Sequence, residues 1–318
     1  MYKNQPDPTI IPRYCGISTF ARLNTLTDQE HCDILILGVP YDTGVTFRPG
    51  ARFGPESIRQ SSRLIRNFNI SQNKSPFDNK VILDGGDIIC NPFNIDETVT
   101  GIIQQVTEFL KISKNIIFLG GDHTISYPVL KSLHSYYGQV SLIHFDSHFD
   151  TWEEYFKEKV THGTPFKRVL DENLINVNNS LHVGIRGSIN DYSDIENDEN
   201  LGYKTIFCQE IDEHGIQYVI DKIKERVGTT LCYVSIDIDV VDPAFAPGTG
   251  TPEPGGFSSR ELLAILKGIK DLNVIGGDVV EVAPCYDSNN ITSQLAANIC
   301  YDLMCMIKTE SAQNVQNI

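Results

Sequence analysis

Three short runs of this chain hold six residues of metal-binding type. The runs are Gly120-Gly121-Asp122-His123, Asp146-Ser147-His148-Phe149-Asp150 and Asp237-Ile238-Asp239. His123, Asp146, His148, Asp150, Asp237 and Asp239 together supply four carboxylates and two imidazoles. Four carboxylates carry about four negative charges, which two divalent cations would neutralise. Alternate residues of an extended segment share a face. Asp146, His148 and Asp150 are therefore expected to converge, and Asp237 with Asp239. An oxygen-rich donor set with a minority of imidazole suits Mn2+ better than zinc, which more often takes Cys or several His. A lone Asp-x-Asp is usually a solvated loop or a capping pair. Three such runs, each after an apolar strand, call for a counter-charge.

The elements that would carry these runs alternate along the chain. Strand-like stretches are DILILG from Asp33, VILD from Val81, NIIFLG from Asn115, QVSLIHFD from Gln139, SLHVGI from Ser180, YKTIFC from Tyr203, TLCYVSID from Thr230 and NVIGGDVVEV from Asn273. Helical patterns lie between most of them, such as PESIRQSSRLIRNF, ETVTGIIQQVTEFLK, TISYPVLKSLHSYY, HGIQYVIDKIKERV and SSRELLAILKGI. The Pro that opens the first of these is well placed at a helix start. The pattern predicts a three-layer α/β/α fold with a mostly parallel sheet of about eight strands. In such sheets ligands bind beyond the carboxyl ends of the strands, where His123, Asp146, Asp237 and Glu281 stand. Residues 1–30 read as an irregular arm, 31–308 as one domain and 309–318 as a polar, frayed tail.

Composition narrows the class. The chain has 318 residues, enough for a large core, and 41% of them are hydrophobic. No stretch approaches a membrane span, and the N-terminal residues have no apolar core of signal-peptide type. The expected location is cytoplasmic. The formal charge of -15 argues against nucleic acid and is compatible with a cationic substrate. The eight cysteines include no C-x-x-C and read as core thiols. His144 and His182 lie in strand patterns, as core or supporting residues, and His31, His134 and His214 read as surface. Asp242, before Pro243, is expected to pin its loop.

The chain resembles the ureohydrolase family of arginases and agmatinases, and most of all its agmatinase branch, from about Asp33 to Lys308. The resemblance is carried by Gly38-Val39-Pro40-Tyr41-Asp42, by Arg48-Pro49-Gly50-Ala51-Arg52-Phe53-Gly54-Pro55 and by Gly120–His123. Thr161-His162-Gly163-Thr164 and Gly184-Ile185-Arg186-Gly187 also match, as does Asp278–Pro284. The most specific string is SIDIDVVDPAFAPGTGTPEPGG at Ser235–Gly256. One departure is visible: the family usually has Asp-Ala-His where this chain has Asp146-Ser147-His148.

The resemblance implies a single ureohydrolase catalytic domain over 31–308 and two Mn2+ per subunit. His123 and Asp150 would be terminal ligands of one ion, His148 and Asp239 of the other, with Asp146 and Asp237 bridging. A hydroxide held between the ions would attack the guanidinium carbon, which is otherwise a poor electrophile. The leaving amine departs only if protonated, and Asp150 is placed to relay a proton. His162 is implied in proton transfer or orientation. Glu281 is implied as the guanidinium partner, since a carboxylate accepts two parallel N–H bonds. Homotrimers or homohexamers are also implied.

Substrate choice rests on the stretch after the third run, Thr151-Trp152-Glu153-Glu154-Tyr155-Phe156, which has no basic residue until Lys157. An acidic, aromatic mouth favours an amine tail and hence agmatine, yielding urea and putrescine. 4-Guanidinobutyrate, 3-guanidinopropionate and guanidine are the alternatives within the family. A metal-binding scaffold without turnover and a single-zinc deacetylase of related fold are the alternatives outside it.

Overall fold

A computed structural model describes residues 5–27, 31–78 and 80–308; the polar tail expected at 309–318 lies outside them. The chain runs β1 (Ile34–Val39), α1 (Gly54–Ser61), β2 (Ile82–Asp87), α2 (Ile95–Phe109), β3 (Ile116–Gly120), α3 (Ser126–Tyr137), β4 (Ser141–Phe145) and α4 (Pro165–Asp171). It continues through β5 (Leu181–Ile185), α5 (Ser193–Leu201), β6 (Lys204–Phe207), α6 (Gln209–Val227), β7 (Leu231–Asp237), α7 (Ser259–Gly268), β8 (Asn273–Val280) and α8 (Ile291–Met306). All eight strand-like stretches become strands of one sheet, ordered β2-β1-β3-β8-β7-β4-β5-β6. Every neighbouring pair is parallel.

Strand β1 shows why the layers form. Its sequence ILILGV is buried throughout, as expected of a parallel strand covered on both faces. Ile34 and Ile36 belong to the core that residues of α1, α6, α7 and α8 complete, whereas Leu35 and Leu37 belong to the core completed by residues of α2 and α3. The period of two thus divides one apolar run between two cores. Helices α2 and α7 start on side-chain caps: Asn94 accepts the Glu97 N–H, and Ser258 with Glu261 forms a reciprocal capping box.

Two elements differ from the sequence reading. Helix α8 gave no amphipathic signal because it is buried almost all round, from Thr292 to Met306. The N-terminal arm is irregular, but its end is anchored: Phe20, Ala21 and Leu23 are buried, and the Phe20 N–H donates to Asp84 Oδ2 at 2.7 Å. Asp84 in turn pairs with Arg59 of α1 at 2.9 Å. All eight cysteines are free thiols, and Cys15 and Cys285 are exposed rather than in the core.

Candidate metal centre and active site

The site lies at the carboxyl ends of the four central strands, β3, β8, β7 and β4. After β3 the chain passes Gly121, where a Cβ would lie only 2.1 Å from the Tyr41 carbonyl oxygen. Close backbone approach therefore requires glycine there, not a turn conformation. Asp122 accepts the N–H groups of Gly44 at 2.9 Å and Thr124 at 3.0 Å. It opens the tight turn His123–Ile125 that aims His123 inward.

His123 is fully buried, and its Nδ1 faces three carboxylates. Asp150 Oδ2 lies 3.0 Å away, Asp146 Oδ2 3.1 Å and Asp237 Oδ2 3.3 Å. None of the three is aligned with Nδ1 as a hydrogen bond. The opposite nitrogen, Nε2, lies 2.9 Å from Ser235 Oγ. That hydroxyl donates to Asp278 Oδ1 at 2.6 Å, so its oxygen accepts from Nε2–H. A neutral His123 then presents its Nδ1 lone pair to the carboxylate cluster, as a metal ligand must. His148 Nδ1 lies 3.2 Å from Asp239 Oδ2 and 3.3 Å from Asp146 Oδ1. Asp146 thus turns one oxygen toward each imidazole. The ligand atoms of Asp146, His148 and Asp239 lie within 4.8 Å of one another, as do those of His123, Asp146 and Asp150. These donors fit two cations placed side by side.

The convergence has a different cause from the one the sequence suggested. Residues 146–150 lie beyond β4 and are not extended. Asp150 sits at φ +55°, an uncommon conformation for a residue with a Cβ and one that clusters at functional sites. Asp237 caps a tight turn by accepting the Asp239 N–H at 2.8 Å. Turns, not strand alternation, bring the carboxylates together.

Charge explains what the cluster needs. Burial, with the neighbouring carboxylates, pushes Asp237 well above the usual range, and Asp150 and Asp239 upward too. Burial opposes the Asp146 carboxylate as well, but His144, His123 and His148 hold it well below that range. Burial disfavours charge on His123 and His148, yet their carboxylate partners raise both well above the usual histidine value. The cluster attracts positive charge, whether proton or metal ion.

The two remaining sequence candidates meet at one oxygen. Glu281 sits just past β8 at φ +62°. Its Oε1 accepts the His123 backbone N–H at 3.0 Å and lies 3.1 Å from His162 Nδ1. Oε2 is therefore the atom left for a guanidinium, and a two-bond clamp needs His162 to turn aside. His162 Nε2 lies 2.8 Å from Thr46 Oγ1 and receives the Thr46 N–H at 3.1 Å. Thr46 can thus serve either state of the ring: its N–H donates to a bare Nε2, and its Oγ1 accepts from a protonated one. Burial resists the imidazolium, but Glu281 and other nearby carboxylates push His162 up to about 9.

The mouth corrects one expectation. Glu153 looked unpaired in sequence, but Lys167 lies 2.9 Å from it and Arg168 3.4 Å. Helix α4 supplies both. Trp152 is pinned by donating its N–H to the Gly163 carbonyl at 3.1 Å, beside His162. Tyr155 and Glu158 exchange backbone hydrogen bonds at 2.9 and 2.7 Å around a turn. A cavity of about 260 Å³ borders this turn, lined by Tyr41, Thr46, Tyr155, Phe156, Glu158 and Thr161, among others. Among the described residues, Glu158 is the one charged residue in its lining.

One supporting residue, Asp278, escaped the sequence reading, whereas Ser147 stands out in sequence by its departure from the family's Ala. Asp278 receives hydroxyls from Ser126, Tyr233 and Ser235 at 2.6–2.9 Å. A carboxylate inside the apolar run of β8 was the available signal. Ser147 donates through Oγ to Asp239 Oδ1 at 2.7 Å. Asp242 pins its loop as expected, accepting the N–H groups of Ala244, Gly255 and Gly256.

Comparison with known proteins agrees with this architecture. The model of the Arginase family matches residues 32–306. Proclavaminate amidinohydrolase of Streptomyces clavuligerus is 39% identical over 94% of this chain and 95% of its own. A solved structure of that enzyme aligns with a TM-score of 0.89, covering 93% of this chain and 98% of that one. The mitochondrial agmatinase of Gallus gallus is 36% identical over 95% of this chain and 89% of its own. The mitochondrial guanidino acid hydrolase of Homo sapiens is 36% identical over 96% and 87%. The chain belongs to the Arginase family and is a hydrolase acting on carbon–nitrogen bonds.

Proposed function

We propose that this protein hydrolyses the guanidino group of agmatine to urea and putrescine, with two Mn2+ ions per subunit. The observation that carries the metal assignment is the placement of Asp146 between His123 and His148, one oxygen toward each. His123, Asp150, Asp146 and Asp237 would hold one ion, and His148, Asp239, Asp146 and Asp237 the other. The preponderance of carboxylate oxygen favours Mn2+. When bound, the ion pair supplies a hydroxide nucleophile at neutral pH for attack on the guanidinium carbon.

The chain's own groups do the rest. Glu281 orients the guanidinium through Oε2, while His123 and His162 keep its Oε1 fixed. His162 carries a proton between Glu281 and Thr46, and Asp150 borders the cluster that receives the attacking water's proton. Either can deliver a proton to the leaving amine, which departs as a neutral molecule only when protonated.

Agmatine is favoured over guanidino acids by the cavity next to Thr46 and Thr161. Aromatic faces and the Glu158 carboxylate suit an ammonium group, and no basic residue lines that cavity to meet a carboxylate. The relatives do not decide this point, because an agmatinase and a guanidino acid hydrolase are equally similar. Guanidinobutyrate, guanidinopropionate and guanidine hydrolysis remain the competing readings. We read residues 31–308 as one catalytic domain, supported by the single sheet from Ile34 to Val280. Exposed apolar side chains at Ile10, Tyr14, Ile17 and Leu64 support self-association as a homotrimer or homohexamer. A cytoplasmic location is part of this reading; among the described residues no helix is long and apolar enough to cross a membrane.

Metal analysis of active protein, paired with urea release from agmatine, tests the proposal. About two Mn2+ per chain with urea release is the expected result. One tightly bound zinc in the active protein, or two Mn2+ without turnover of any guanidino compound, would contradict it.

A further inference from the structure

We propose that His182 and Asp198 are positioning residues for the metal centre: through His144 they hold the Asp146 carboxylate so that each of its oxygens keeps a lone pair for a cation. This inference rests on the metal-centre reading above.

Four groups stand in a row, each from a different place in the chain except the first two. Asp146 Oδ2 lies 2.8 Å from His144 Nε2. His144 Nδ1 lies 2.6 Å from His182 Nδ1. His182 Nε2 lies 3.2 Å from Asp198 Oδ1, close but not aligned as a hydrogen bond. Asp198 is then held by Thr151 Oγ1 at 3.0 Å and Thr205 Oγ1 at 3.2 Å. His144 and His182 are register partners on β4 and β5, so their side chains leave the sheet on the same face. All four groups are buried, none more than 1% exposed.

Burying two imidazoles and a distant carboxylate in a sheet is costly unless each is satisfied. Helix α5 makes the point. Its sequence is SDIENDENL, and Asp198 is the residue it buries. The helix therefore docks on the body of the protein through a fully buried carboxylate, with Leu201 at its end packed against the core. Burial opposes that carboxylate, but His182, Thr151 and Thr205 hold it below the usual range. Aromatic rings fix the imidazole planes, with Phe166 4.2 Å from His144 and Tyr203 4.2 Å from His182.

The hydrogen inventory gives the row a direction. Asp146 Oδ1 already takes the His148 backbone N–H at 2.7 Å. If His144 Nε2 carries a proton, Oδ2 also receives one donor, and one lone pair per oxygen stays free for a bridging role. A neutral His144 with its proton on Nε2 has a bare Nδ1, which must be met by a donor. His182 Nδ1–H is that donor. The ring's second proton, on Nε2, faces Asp198 Oδ1 at 3.2 Å without the alignment of a hydrogen bond. The row thus holds three protons, and the Asp198 carboxylate offsets the extra charge. Without the His182 donor, the His144 proton can move to Nδ1, and a bare Nε2 would then face the Asp146 oxygen and repel it.

The test is calorimetric titration of metal-free, full-length protein with MnCl2, comparing wild type, His182→Phe, His182→Asn and Asp198→Asn. Thermal unfolding of each metal-free protein reports folding independently. Loss of a group that orients a metal ligand typically costs about 10- to 100-fold in metal affinity, and His182→Phe, which keeps an aromatic ring against Tyr203, should fall in that range. His182→Asn should recover most of the affinity, because its amide can return an N–H to His144. Asp198→Asn should lose roughly 3- to 10-fold, through loss of the charge that offsets the row's third proton. Wild-type affinity in His182→Phe, or equal losses in His182→Phe and His182→Asn, would overturn the inference. If His182→Phe fails to fold, unchanged affinity in Asp198→Asn overturns it. Absence of Mn2+ uptake by the wild type would overturn the metal-centre reading and the inference with it. Two-ion uptake with an indifferent His182→Phe overturns the inference alone.

Discussion

His162 Nδ1 lies 3.1 Å from Glu281 Oε1, the oxygen that also takes the His123 backbone N–H at 3.0 Å. One carboxylate therefore ties the loop after β4 to the turn after β3.

This contact sets a pH dependence. Glu281 and other carboxylates raise His162 to about 9 against burial, above the unfolded value of about 6.5. A raised imidazole contributes stability that is fully present below about pH 6.5 and is lost as pH rises through about 9. NMR titration of metal-free wild type should show His162 losing its proton near pH 9. In Glu281→Gln the midpoint should fall toward the unfolded value. An unchanged midpoint in that variant would mean that Glu281 is not the controlling partner.

Charge selectivity should depend on Glu158 and not on Glu153. Glu153 is already met by Lys167 and Arg168, whereas Glu158 lines the cavity beside Thr161. Glu158→Gln should lower kcat/KM for agmatine by roughly 3- to 10-fold and flatten its salt dependence, since exposed charges are screened beyond about 10 Å at 0.1 M salt. Glu153→Gln should behave like wild type. Steady-state kinetics across salt distinguishes the two, and an equal effect from both variants would contradict the assignment.

Ser147 should steady the second metal position. Its hydroxyl and its N–H both donate to Asp239 Oδ1, at 2.7 and 3.1 Å, which leaves Oδ2 toward His148. Ser147→Ala keeps the N–H and loses the hydroxyl. One such bond is worth about 0.5–1.5 kcal/mol, so one of the two Mn2+ affinities should drop roughly 2- to 10-fold while the other stays near its wild-type value. Titration showing equal losses on both ions, or on neither, would count against this placement.

The strands were legible because a parallel sheet covered on both faces writes continuous apolar runs such as ILIL at Ile34–Leu37. Helix α8 was not, because burial on all sides removes the polar face that periodicity needs. The residue types of the candidate ligands and their places at strand ends were readable from residue chemistry. Their convergence was not, because it depends on the turn at Asp237–Asp239 and the positive φ of Asp150. Partners contributed by distant elements were also hidden. Lys167 and Arg168 reach Glu153 from α4, Asp278 reaches His123 through Ser235, and Asp198 reaches His144 through His182. No local pattern announces contacts of that kind.

The most direct test is to load the protein with Mn2+ and measure kcat/KM for agmatine and for 4-guanidinobutyrate side by side, with urea as the product followed. We expect urea and putrescine in equal amounts from agmatine, and kcat/KM for agmatine at least roughly tenfold above that for the acid, about 1.4 kcal/mol of discrimination. A higher value for 4-guanidinobutyrate would contradict the agmatine assignment while leaving guanidino hydrolysis intact. No urea from either compound, nor from 3-guanidinopropionate or guanidine, would contradict the account as a whole.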